Sequence, residues 1–171
     1  MPISCKFPII ITLTQLFLGI LVDMKTVIQR VSEASVTIDG SVHGAIGTGY
    51  MILVGIRDED TEADVRKMAD KIMKLRIFED AAGKMNLSLA QVDGAVLSIS
   101  QFTLYADCKK GNRPSFDKAG KPEHAKEMYL YFNEYIRSQG FRVEEGIFGA
   151  EMKVRLLNDG PVTILLDSET L

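Results

Sequence analysis

From Lys25 onward, apolar and polar residues alternate through two runs, KTVIQRV (25–31) and ASVTIDG (34–40), as they do in half-buried strands. Asp39-Gly40 closes the second run with a favoured hairpin dipeptide, since glycine tolerates the positive φ of a type I′ turn. The expected return strand is SVHGAIG (41–47). Next, YMILVGI (50–56) is apolar throughout and predicts a strand buried on both faces. The period then changes to that of a helix. Thr61 and Asp64 have capping-box spacing, and Val65, Met68, Ala69, Ile72 and Leu75 form one apolar stripe behind them.

Two short extended pieces follow, around 76–78 and 85–89, with a turn at Ala82-Gly83. GAVLSISQFTLYAD (94–107) predicts a long strand. A second helix is bounded by Pro122 in its first turn and Gly140 just past its end. Its expected buried face is Ala125, Met128, Tyr129, Phe132, Tyr135 and Ile136. Strands around 141–145 and 152–157 come next, and a turn at 158–161 leads into VTILLD (162–167). The fold class is α/β, in the mixed α+β sense. Two main helices are expected to pack on a curved, largely antiparallel sheet or barrel-like β core.

The chain of 171 residues is the size of one domain, and its net charge is only −3. That total counts against nucleic acid, because neutralising phosphates requires clustered Lys and Arg. The basic residues are unevenly spread, however. Lys109, Lys110, Arg113, Lys118 and Lys121 fall in one stretch, opposed there only by Asp117. Cys5 and Cys108 lie far apart without a CxxC, which suggests neither a zinc site nor a disulfide framework and fits a reduced, cytosolic setting.

The first 23 residues break the pattern. FPIIITLTQLFLGILV (7–22) is nearly all apolar, preceded by Lys6 alone among charged residues. It fits an export signal, a membrane or packing appendage, or a start assigned upstream of Met24. The third is the expectation here, because nothing after Met24 looks secreted. The domain is then expected to span 24–171, with 1–23 an extension outside the fold.

Familiar catalytic groupings are missing: there is no P-loop, GxSxG or HExxH. His43 and His124, the only histidines, sit where surface residues are expected. Two segments have polar residues where a core strand would be apolar. Ser100, Gln101 and Thr103 interrupt one strand, and Asn158-Asp159-Gly160-Pro161 precedes another. Alone, each has a plain structural explanation: a solvent-facing strand and a turn.

Together and in this order, the segments resemble the signature of the D-aminoacyl-tRNA deacylase family. MKTVIQRVSEASV (24–36) is similar to the family's N-terminus, KGNRPSF (110–116) to its loop, and GIFGAEMKVRLLNDGPVT (146–163) to its C-terminal half. Only 1–23 depart from the pattern. The resemblance implies a homodimer that hydrolyses the ester of D-aminoacyl-tRNA, and of glycyl-tRNA mischarged on non-cognate tRNA. In that reading Ser100, Gln101, Phe102 and Thr103 line the pocket for the terminal adenosine and its amino acid. Gly160-Pro161, with a cis peptide, enters the partner's site and reads chirality; Arg30 holds the pair, with Asn158 and Thr163 in support. No cofactor, metal, DNA or membrane is implied, and the setting is the cytoplasm.

A labile ester needs positioning and oxyanion stabilisation more than a nucleophile. The backbone N–H groups near Phe102 and Thr103 are the candidate oxyanion donors. Thr103 is the one plausible protein nucleophile, but no base is evident beside it, so attack of water assisted by the ribose 2′-hydroxyl ranks above it. Lys109, Lys110 and Arg113 are candidates for meeting tRNA phosphates. Two rivals remain. A non-catalytic RNA-binding module lacks surface aromatics, because Phe and Tyr fall mostly on core faces. A Cys108–His124 hydrolase lacks an orienting third group.

Overall fold

The computed structural model describes residues 24–171 of the chain, so the expectation for 1–23 lies outside the described residues. The described residues form eight strands and two α-helices: β1 Lys25–Ile38, β2 Ser41–Ile46, β3 Gly49–Gly55, α1 Glu62–Met73, β4 Arg76–Glu79, β5 Met85–Ser88, β6 Ala95–Ser100, α2 Pro122–Ser138, β7 Val143–Glu145 and β8 Lys153–Asp167.

The two alternating runs after Met24 are one strand, β1. It turns at Asp39-Gly40, where both residues have positive φ (50° and 79°) as a type I′ hairpin requires. β2 and β3 return along the same edge of β1, and β8 covers the other edge, all antiparallel. β3 then pairs with β6, and β6 with β7, in parallel. The sheet is thus mixed rather than purely antiparallel. It curls until β2 and β7 meet: Arg142 of the β6–β7 connection donates to the Ala45 carbonyl at 3.3 Å. A separate β4–β5 hairpin stands beside it.

Alternation along the strands divides the interior in two. Tyr50, Ile52, Val54 and Val96 face α1 and α2, joining Val65, Met68, Ile72, Met128, Tyr129, Phe132 and Ile136 in the larger core. Val31, Val36, Met51, Leu97 and Ile99 face the hollow of the curled sheet. β3 is therefore buried on both faces, as its unbroken apolar run requires. α1 starts at the expected capping box of Thr61 and Asp64. It ends at Met73, two residues earlier than the stripe suggested, and Leu75 packs from outside it.

Two expectations fail, both at places of chemical interest. The strand expected over 94–107 stops at Ser100 and becomes a 3₁₀ turn, Phe102–Tyr105. Apolar residues continue there because Tyr105 plugs inward, its hydroxyl donating to the Gly55 carbonyl at 3.0 Å. The expected turn at 158–161 is no boundary between strands. β8 runs through it as a wide bulge: Thr163 pairs with Gln29 and Asn158 with Val31, so residues 159–162 stand opposite Arg30 alone.

Candidate active site

Ser100 is the last residue of β6, level with Val54 of β3. The Gln101 N–H still reaches the Val54 carbonyl at 2.7 Å, and the Leu104 N–H reaches back to the Gln101 carbonyl at 3.3 Å. Between them, the N–H groups of Phe102 and Thr103 begin the 3₁₀ turn, where the first donors of a helix have no partner in the helix itself. The Gln101 side-chain amide donates to Thr103 Oγ1 at 2.6 Å. An amide is not a base, so this contact orients the hydroxyl without activating it.

Ser100, Gln101 and Phe102 form the rim of a cavity of about 310 Å³ between the end of β3 and the start of α2. Its walls are Val54, Ile56, Ala125, Tyr129 and Phe148, with Ala119-Gly120 on one side. Gly120 is required by this packing. Its N–H donates to the Ile56 carbonyl at 2.9 Å, and a β-carbon would lie 2.9 Å from the Arg57 carbonyl carbon. Tyr129 forms part of the wall with its hydroxyl bonded to the Ser98 carbonyl at 2.8 Å, and burial pushes its pKa upward. A second hollow adjoins on the other side of Phe102, over Met152 and Val154.

The second motif lies at the bulge of β8. The Gly160-Pro161 peptide is cis, and both residues are exposed. Gly160 has φ of 137°, and a β-carbon there would come within 2.7 Å of Val162 Cγ2 and 3.0 Å of an Arg30 terminal nitrogen. Its own chain therefore demands glycine, apart from any approach to a substrate. Arg30 is 4% exposed. Its Nε donates to the Asp159 carbonyl at 2.8 Å and its Nη1 to the Ile77 carbonyl at 2.7 Å. The carboxylates of Asp159 and Glu79 lie 3.8 and 3.7 Å from the guanidinium. Asn158 closes the bulge from within, bonding both backbone groups of Val162 and reaching Thr163 Oγ1 at 3.2 Å. Thr163 Oγ1 also accepts from Gln29, at 3.3 Å.

These two motifs do not meet within one chain: no residue of 158–163 lines either hollow. The third predicted group, Lys109, Lys110 and Arg113, is exposed on a loop closed at its base by the paired backbones of Asp107 and Ser115. Lys121 is held back at Asp58, to which its N–H donates at 2.6 Å. Cys108 is exposed, while His124 Nε2 lies 2.9 Å from the Asp60 carbonyl and has no bond to Cys108. Sequence reasoning missed Phe102 as a surface aromatic. It is 57% exposed and meets Phe116 edge-to-face. The signal that could have found it is its position in a segment too polar for a core strand.

A pocket walled by apolar residues, with Ser100, Gln101 and Phe102 at its edge and an amide rather than a base beside the neighbouring Thr103, is compatible with hydrolysis of an already activated ester. The proteins this chain is similar to are named for such a hydrolysis, that of aminoacyl-tRNA. Residues 27–167 match the family model described as D-Tyr-tRNA(Tyr) deacylase, and the chain belongs to that family. It is 58% identical over 146 residues to the D-aminoacyl-tRNA deacylase of Koribacter versatilis (strain Ellin345), covering 85% of this chain and 98% of that protein. It is 57% identical over 146 residues to the namesake protein of Bacillus thuringiensis (strain Al Hakam), covering 85% and 100%. A solved structure titled c-Myc DNA Unwinding Element Binding Protein is similar with a TM-score of 0.78 at 44% identity, over 83% of this chain and 97% of that one. Another, of a probable eukaryotic D-amino acid tRNA deacylase, shares the fold at a TM-score of 0.76 and 16% identity, over 85% and 99%. Among the described residues, no helix is long and apolar enough to cross a membrane.

Proposed function

We propose that the protein works in the cytoplasm as a homodimer that proofreads chirality, removing D-amino acids, and glycine from non-cognate tRNA, in translation quality control. The observation that carries this reading is the separation of two incomplete half-sites on one chain. The cavity edged by Ser100, Gln101 and Phe102, with Thr103 exposed just outside it, has an open mouth, and Gly160-Pro161 projects to solvent away from the cavity of its own chain. A second copy supplies what each lacks. β8 suits such an interface: among the described residues it pairs only with β1, and Val154, Leu157 and Leu165 on it are 36%, 57% and 73% exposed.

In the assembled site, the terminal adenosine occupies the cavity and the Phe102 and Thr103 N–H groups receive the developing oxyanion. Water attacks with help from the ribose 2′-hydroxyl, which fits Thr103 having an amide rather than a base beside it. The partner's Gly160-Pro161 backbone leaves room for a hydrogen or a D side chain and excludes an L side chain, so glycine passes. Arg30, Asn158 and Thr163 set the position of that pair. Lys109, Lys110 and Arg113 hold the acceptor-stem phosphates.

The test is ester loss from D-Tyr-tRNA, L-Tyr-tRNA and Gly-tRNA, with oligomeric state measured on the same sample. Rapid release from the D and glycyl substrates by a dimer, with L-Tyr-tRNA spared, is expected. Binding without turnover would replace this reading with the RNA-binding module, and equal loss of both enantiomers would remove chiral selection.

A further inference from the structure

We propose that Phe116, with its edge-to-face partner Phe102, is a stacking platform for the base of the unpaired nucleotide that precedes the terminal adenosine. The inference rests on the deacylase reading and extends its substrate site by one nucleotide. The ring centroids of the pair are 5.1 Å apart and the planes cross at 71°. An edge-to-face pair uses at most one face of each ring, so a π-face remains for a third flat group. Phe102 is among the most exposed large apolar side chains in the described residues, and Phe116 is only partly covered.

Position argues for a nucleotide as that group. Phe116 directly follows the Asp107–Ser115 pairing that closes the loop of Lys109, Lys110 and Arg113. Its carbonyl accepts the Ala119 N–H at 3.0 Å, and Ala119 and Gly120 are cavity wall. A strand whose last base sits in the cavity and whose phosphates reach that loop must therefore cross the ring pair. Lys118, also exposed, adds positive charge at the crossing; of the acids nearby, Asp117 accepts the Ser115 hydroxyl at 2.6 Å and the Asp107 carboxylate accepts the Lys109 N–H at 2.9 Å. Aromatic platforms flanked by cations are the usual means of gripping single-stranded nucleic acid, and they tolerate any base because every base has a π-face. That tolerance suits an enzyme that must accept many tRNAs.

Two substrates separate this role from a structural one: D-tyrosyl-tRNA, and 2′(3′)-O-D-tyrosyl-adenosine, which lacks the preceding nucleotide. Phe116→Leu keeps apolar volume but removes the π-face, and Phe116→Tyr keeps both. Phe116→Leu is expected to lower kcat/KM on D-tyrosyl-tRNA by about fivefold to a hundredfold. Its rate on D-tyrosyl-adenosine should match wild type, and Phe116→Tyr should restore the tRNA rate. Equal loss on both substrates would overturn the proposal, leaving Phe116 as packing or as contact with a second subunit. No loss on either would also overturn it. A wild type inactive on both substrates would instead defeat the underlying deacylase reading.

Discussion

The side-chain amide of Asn158 is bonded to both backbone polar groups of Val162, accepting its N–H at 2.8 Å and donating to its carbonyl at 3.2 Å. It replaces the strand neighbour that Val162 loses where β8 leaves the ladder. The bulge carrying Gly160-Pro161 is thus gripped at its base by Asn158 and at its flank by Arg30. Asn158→Asp keeps the acceptor but sets a carboxylate against the Val162 carbonyl. Replacing a satisfied pair with an unsatisfied one costs about 1–3 kcal/mol. We expect the ratio of D- to L-Tyr-tRNA turnover to fall about tenfold while adenosine binding is unchanged. A variant with full selectivity would show that the bulge holds its shape without this clamp.

Arg30 serves two carbonyls on different segments, Ile77 and Asp159. A planar fork reaches both, whereas a lysine ammonium is a single point. Arg30→Lys is expected to lose most D-selective turnover despite keeping the charge, and Arg30→Met to lose more along with several degrees of Tm. If Arg30→Lys kept wild-type kcat/KM on D-Tyr-tRNA, charge alone would account for the residue.

Gly160→Ala should damage the enzyme through its own chain, since φ is 137° and the added methyl meets Val162 and Arg30. Complementation then tests whether the pair acts on the other subunit. Ala119→Trp fills the cavity wall. Each homodimer should be inactive, but a mixed dimer of the two variants should recover about half the activity of wild type. This follows because one site then combines an intact cavity with an intact Gly160-Pro161. A mixed dimer as inactive as its parents would place both halves of the site on one chain.

Thr103→Ala is expected to keep D-Tyr-tRNA hydrolysis within about tenfold of wild type, since general assistance by one hydroxyl is all it removes. Replacing the ribose 2′-hydroxyl with hydrogen should cost at least about a hundredfold. A covalent aminoacyl–Thr103 adduct trapped at low pH would reverse that ranking.

Tyr50 and Tyr129 are both held above the ordinary phenol pKa, chiefly by burial. The folded chain keeps these protons where the unfolded chain loses them. Their contribution to stability is therefore complete below the ordinary value of about 10 and declines as pH rises beyond it. The urea midpoint should hold to pH 9.5 and fall above pH 10, with phenolate absorbance lagging until the chain unfolds. Titration of all five tyrosines before unfolding would contradict this burial effect.

The alternating runs of β1, the Asp39-Gly40 hairpin, the unbroken apolar β3, the Thr61–Asp64 cap and the Pro122–Gly140 limits of α2 were legible in the sequence alone. Each follows from local rules: a side-chain period, a glycine at positive φ, a hydroxyl on an orphan N–H. The deacylase signature was legible too, as an ordered set of motifs. Tertiary structure alone decided the rest. β6 stops at Ser100 because Tyr105 finds its partner at Gly55, a residue 50 positions away, and the turn this forces exposes Phe102. β8 carries its bulge because Arg30, 129 positions before Asp159, satisfies the carbonyl that the ladder abandons. Local pattern fixes which residues want burial or a turn, but only contacts between distant segments determine which polar groups are left open for a substrate.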